Sequence, residues 1–172
     1  MLMSPQWHVL YTRHRWETRV TERLADKKME YYCPVNRVEK QNWKKTVPQV
    51  LFPSWVFVQA VASELAALRQ VNGVVNLVYW LGKPVIVPDS EMESVFHFVN
   101  DHQEISLERI AVHAGAARKA ILETSFPSFE QYSFETLVVP SLGVSLSAMV
   151  RVTEPVVIHT ETDFNGLRYA IS

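Results

Sequence analysis

A chain of 172 residues, 48% hydrophobic and 20% charged, has the length for one domain of about 100 residues and a smaller companion, and its composition excludes a disordered polymer. No run reaches the roughly 20 apolar residues of a bilayer span, and no basic-then-apolar signal pattern opens the chain, so no membrane partner is expected. The net charge of −1 conceals an asymmetry: residues 1–60 hold ten Lys/Arg against five Asp/Glu, residues 61–172 seven against thirteen. Such one-sidedness suits an anionic partner at the N-terminal third, nucleic acid above all; a well-solvated face explains the charge equally well.

Trp7–Tyr11 alternates as a short strand. From Trp16 to Met29 the period turns helical: Trp16, Val20 and Leu24 make an apolar stripe, with Arg15, Arg19 and Arg23 as a basic stripe beside it. Such a helix packs on a sheet while offering cations to phosphate; it also describes an ordinary surface helix. Tyr31–Val35 starts a second strand, in which Pro34 favours an edge or bulge. Cys33, the single cysteine, excludes an internal disulfide and makes a cytoplasmic setting the default. It has no basic or CxxC partner and reads as a buried, inert thiol. Residues 37–50 are polar and basic, with a turn at Gln41-Asn42 and Trp43 exposed among lysines, as in a projecting hairpin.

Phe52–Val58 is the third strand, entered through Pro53. Trp55, Phe57 and Gln59 point one way, Val56, Val58 and Ala60 the other, so both faces need cover. It is either a central core strand or an aromatic docking surface for another protein. Ser63–Gln70 is a short helix with Ser63 as N-cap and Leu65 and Leu68 inward. Asn72-Gly73 is a turn, Val74–Trp80 a strand, Gly82-Lys83-Pro84 another turn. After Val85–Val87, Asp89 or Ser90 caps a helix carrying Met92, Val95, Phe96 and Val99. The class is α+β: an antiparallel sheet with helices on one face. Asp101–Ser106 reads as a linker. Beyond it Ala111–Leu122 suits helix or strand, Glu135–Pro140 and Val144–Val152 flank a hairpin turn at Ser141-Leu142-Gly143, and Val156–Thr160 is a further strand. The expected domains are 1–104 and a small β-domain, 105–172.

The blocks Trp7-His8-Val9-Leu10-Tyr11-Thr12-Arg13-His14-Arg15-Trp16-Glu17, Tyr32-Cys33-Pro34, Leu51-Phe52-Pro53 with Trp55–Val58, Gly73-Val74-Val75 and Gly82-Lys83-Pro84 together resemble the N-terminal domain of the NusG family, in its order and spacing over residues 7–100. Tyr79–Pro84 is most similar to specialised paralogues of the UpxY kind. The resemblance implies a four-stranded antiparallel sheet with flanking helices. It further implies a transcription elongation or antitermination factor, serving one or few operons, whose partners are the clamp helices of RNA polymerase and the upstream non-template DNA strand, with nascent RNA as a further candidate. By position, the polymerase-binding residues are Tyr11, Phe52, Pro53, Trp55 and Phe57. Those for nucleic acid are Arg13, His14, Arg15, Trp16, Arg19 and Arg23, with Arg37, Lys40, Trp43, Lys44 and Lys45 on the hairpin.

Two departures stand out. Ser54 replaces a frequent glycine, which matters little if its φ is negative. The family's second domain, a KOW barrel, survives as an eroded run at Ala114–Ile121 and a hairpin-like Leu137–Val150, so the tail resembles a shortened barrel. This weakens the case for a ribosomal protein or the Rho terminator as partner. In RfaH-type relatives a helical tail masks the aromatic face; residues 107–122 are the candidate here, against which Gly115 and the β-rich remainder argue. The six histidines lack metal spacing, and neither a P-loop nor a Gly-x-Ser-x-Gly motif occurs, so no cofactor, metal or catalysis is expected. The alternative from another class is a stand-alone nucleic-acid-binding module that never touches polymerase.

Overall fold

The computed structural model describes residues 4–40, 45–110 and 132–151, with the side chains of residues 39–40, 45–47, 132 and 151 left aside. The chain begins with β1 (Gln6–Thr12), α1 (Glu17–Asp26), β2 (Tyr31–Tyr32), β3 (Val35–Lys40), β4 (Lys45–Val50) and β5 (Trp55–Ala60). There follow α2 (Leu65–Leu68), β6 (Val74–Leu77), β7 (Tyr79–Trp80), β8 (Lys83–Pro84), β9 (Ile86–Val87) and α3 (Asp89–Asp101). The last described elements are β10 (Ser106–Arg109), β11 (Tyr132–Val139) and β12 (Val144–Arg151).

The main sheet has the order β2-β5-β1-β6, with β9 also paired to β1, and the pairings are antiparallel. The expected four-stranded antiparallel sheet is therefore present, with β9 as an addition. In the β1–β5 register Val9 faces Phe57 and Leu10 faces Val56. Successive residues of a strand point to opposite faces, so both faces are apolar and both must be covered. One face (Leu10, Val56, Val58, Ala60) packs under Val20 and Leu24 of α1 and Leu68 of α2. The other (Trp7, Val9, Phe57) packs under Met92, Val95 and Phe98 of α3. The expectation of helices on one face is corrected by this double burial. Each fully buried Leu, Val or Phe contributes about 1.5–3 kcal/mol, so an uncovered second face is not affordable.

The aromatic-face cluster continues into the C-terminal hairpin through Val139, Val144, Leu146 and Ala148. Strands β10, β12 and β11 form a three-stranded sheet in that order. At the turn of the hairpin, Gly143 takes φ 62 after the single helical turn Pro140–Leu142. The expected hairpin is present; residues 111–122, read as helix or strand, and 156–160, read as a strand, lie outside the described residues.

Several boundaries differ from the sequence reading for local reasons. The third strand starts at Trp55, because Phe52 C=O accepts from Trp55 N–H at 3.1 Å and closes a turn over Pro53 and Ser54. Ser63 lies inside a 3-10 turn and caps nothing; the Glu64 carboxylate accepts from Val61 N–H at 2.9 Å instead. Asp89 and Ser90 are also inside their helix. Pro88, with φ −59 and ψ 145, is the N-cap, and Asp89 and Glu91 are acids in the positive first turn. The strand read as Val74–Trp80 breaks at Val78 into β6 and a separate β7–β8 ribbon, turned by Leu81 (φ 48) and Gly82 (φ 75).

Candidate nucleic-acid and protein interface

The chain leaves β1 at Thr12 and enters α1 at Glu17, and in between it builds a cationic cluster around one ring. The guanidinium carbons of Arg13, Arg19 and Arg23 lie 5.3, 5.0 and 5.8 Å from the ring centroid of Trp16. Helical spacing supplies two of them, since residues 16, 19 and 23 share a face; Arg13 arrives from the loop, anchored by its N–H to Gly73 C=O at 2.9 Å. The Trp16 ring sits where only glycine leaves room. A Cβ on Gly73 would stand 2.8 Å from Trp16 Cε3 and 2.9 Å from Val20 Cγ2, and Gly73 has φ +100. Among the described residues no carboxylate lies within ion-pair distance of Arg13, Arg19 or Arg23. His14 and Arg15 are exposed on the same loop, Arg15 with φ 62.

The five aromatic-surface residues divide. Phe52 and Phe57 are fully buried, Trp55 is half-buried, and Tyr11 and Pro53 are exposed. Phe52 stacks on Trp55 with centroids 6.2 Å apart at 8° and meets Phe57 edge-on at 5.2 Å. Tyr11 and Trp55 are register partners, so the accessible part is the rim Tyr11–Pro53–Trp55 above a sealed aromatic floor. The floor is shared with α3 and the C-terminal sheet. Polar clasps hold that cover: Ser141 donates to the Glu91 carboxylate from Oγ (2.6 Å) and N–H (3.2 Å), and His102 Nε2 meets Glu135 at 2.9 Å. The buried Asn36 amide donates to Ile105 C=O (2.7 Å) and accepts from its N–H (3.0 Å).

One residue joins the cationic and aromatic parts, and the sequence reading missed its role. Glu17, buried at the first position of α1, accepts from Ser54 N–H at 2.6 Å. Ser54 has φ 63, so the condition under which replacing glycine would matter little is not met: the turn before β5 is left-handed at a residue with a Cβ. The signal was a Trp-Glu pair beside the first strand and a glycine-preferring position, legible only once φ was known.

Of the hairpin candidates, Arg37 is exposed on β3, while Lys40 and Lys45 pair at the end of β3–β4. Trp43 and Lys44 lie outside the described residues. Burial, with Glu17 nearby, pushes the Cys33 thiol up to about 11, and burial pushes the Tyr32 phenol up to about 12. A thiol so shifted is unreactive at neutral pH. A groove of about 550 Å³ between β3–β4 and residues 104–107 carries Glu104 as its one titratable group among the described residues, a poor setting for acid–base chemistry. No three His, Cys, Asp or Glu side chains among the described residues are grouped to hold a metal, and no described helix is long and apolar enough to cross a membrane.

The family model described as transcription termination factor nusG matches residues 5–96, over half of the chain. Among solved structures, one described as domain interaction in Thermotoga maritima NusG is 20% identical, with a TM-score of 0.43. That likeness covers 63% of this chain and 63% of the other, so the present chain spans under two thirds of its relative. No curated protein matches the chain.

Proposed function

Because the chain belongs to the NusG family, we propose that it is a non-catalytic transcription elongation and antitermination factor, operon-specific in action, that binds the RNA polymerase clamp and the upstream non-template strand. The observation that carries the nucleic-acid half is the ring of Arg13, Arg19 and Arg23 around Trp16, with no carboxylate among the described residues paired to them. Three like charges gathered on one ring draw phosphates and release their counterions, and the indole between them offers a stacking plane for a base. His14 and Arg15 extend this surface, and Lys40 and Lys45 at the β3–β4 end, with Trp43 and Lys44 between them in the sequence, meet the flanking duplex.

Polymerase docks on the aromatic side. The rim of Tyr11, Pro53 and Trp55 makes first contact, and Phe52 and Phe57 shape the floor beneath it. Since that floor shares a cluster with Val144, Leu146 and Ala148, full engagement requires the C-terminal sheet to move off, and the clasps at Glu91, His102 and Asn36 set how readily it does.

The test is capture of core RNA polymerase by the full chain. Trp55→Ala and Tyr11→Ala reduce capture about tenfold or more, as truncation of a large interface aromatic does, while the fold, checked by circular dichroism, is kept. Capture unchanged in both variants removes the polymerase half. The burial of Phe52 and Phe57 favours a second reading, a stand-alone nucleic-acid module. It predicts no polymerase capture, and DNA binding that falls steeply with salt and responds to Arg19→Ala and Arg23→Ala.

A further inference from the structure

Among the described residues up to 100, the most exposed large apolar side chains belong to the β7–β8 ribbon, which neither candidate surface uses. Trp80 is 67% exposed and Leu81 88%, at a turn where Leu81 holds φ 48. Asparagine or glycine fills such a position without the cost a leucine incurs. Trp80 and Lys83 are register partners, so an indole and an ammonium project together from one face of the ribbon. On the other face Tyr79 is held by Arg69, whose guanidinium lies 5.6 Å from the ring centroid and donates to the phenol oxygen. From Leu65 to Pro88 the chain carries these two cations and no acidic residue.

We propose that this ribbon binds a single strand of nucleic acid, with an unpaired base stacked on Trp80 and the neighbouring phosphate on Lys83. The charge of the segment selects an anionic occupant. The flat, uncovered indole selects one with free π-faces, which a duplex hides in its own stack and a single strand exposes. A short ribbon closed by a two-residue turn fixes the backbone that carries the ring, so little backbone-ordering entropy opposes binding. Arg69 braces the ribbon through Tyr79 and adds a second cation at its base. The inference deepens the proposed function by giving the strand that passes Trp16 a second contact, and it rests on that reading.

The experiment is fluorescence anisotropy of a labelled oligo-dT single strand with the full chain, in parallel with polymerase capture. Trp80→Ala weakens binding about tenfold or more with its salt dependence unchanged, whereas Trp80→Phe keeps most of the affinity. Lys83→Ala weakens binding and lowers the salt slope by about 1. Thermal melting checks that these exposed substitutions leave the fold intact. Wild-type affinity in Trp80→Ala overturns the inference. If Arg19→Ala and Arg23→Ala still weaken binding in that case, the Trp16 surface stands without it. Loss of polymerase capture in Trp80→Ala with unchanged oligonucleotide binding assigns the ribbon to a protein and also overturns it. If the unaltered chain binds no oligonucleotide, both nucleic-acid readings fall together.

Discussion

The two faces of the central sheet are built on different terms. The face of Leu10, Val56, Val58 and Ala60 is aliphatic, and its cover comes from α1 and α2, which lie within a few residues of the strands they protect. The face of Trp7, Val9 and Phe57 is aromatic, and its cover comes from α3 and from strands about 80 residues further along the chain than β5. Local cover forms with the sheet and leaves only when the sheet unfolds. The C-terminal sheet, fastened to α3 and β3 by a few side-chain clasps, can open as a unit while the central sheet persists. Under the proposed function, the second arrangement lets the aromatic rings be hidden and then presented, and the first holds the rest steady.

The largest effect should come from the aliphatic side. Leu24→Ala, removing a fully buried side chain of α1, is expected to cost about 2–5 kcal/mol in urea unfolding, with protection from hydrogen exchange lost across β1 and β5 together. Leu146→Ala, equally buried but in the distant cover, sharpens the contrast: exchange should rise in β11 and β12 while β1 and β5 keep their protection. Equal loss everywhere would break the comparison and make the molecule one cooperative unit.

Asn36→Ala should come next, at about 1–3 kcal/mol, because Ile105 N–H and C=O both lose their buried partner where β3 meets the chain entering β10. It should raise polymerase capture by loosening the cover; unchanged capture would show that the clasp does not govern docking. Ser54→Gly has the opposite sign. Relieving a left-handed φ of 63 should stabilise the chain by about 1 kcal/mol with the Glu17 bond kept, seen as a raised melting temperature.

The smallest effect is a pH dependence on the aliphatic side. Burial disfavours the charged form of His8 and lowers its pKa from the usual 6.5, against the opposing pull of its bond to Val85 C=O. The unfolded chain then binds the proton more readily, so stability is complete above about pH 6.5 and falls as pH drops through that value towards the lowered one. The slope stays below about 1.4 kcal/mol per pH unit. His8→Gln should flatten the profile between pH 7 and 5, and an unaltered profile would assign the dependence to another group.

The sequence showed which residues share a face but not what lies over it. Alternation in Trp55–Ala60 placed Phe57 opposite Val56 and Val58, and the register with β1 agrees. The stripe Trp16-Val20-Leu24 with its arginines located α1, although not the gathering of Arg13 from outside the helix onto the same ring. The expectation of an open aromatic surface rested on Phe52 and Phe57 as much as on Trp55, and nothing in strand periodicity separates a ring on the rim from a ring in the floor. Capping was misread at Ser63 and Asp89 because a preferred residue type is not a hydrogen bond; at each site the neighbouring backbone had another partner or another shape.

What the amino-acid order determined alone was short-range: strand alternation, one amphipathic helix, the turns at Gly73 and Gly143, the cationic first third. These follow from side-chain geometry over a few residues, which each segment carries with it. What only the assembled molecule decided was long-range: helices on both faces, Glu17 tied to Ser54, the aromatic floor closed by Leu146 and its neighbours, and the Trp80 ribbon left bare. Those outcomes depend on which distant surfaces meet, and burial is a property of two surfaces, never of one.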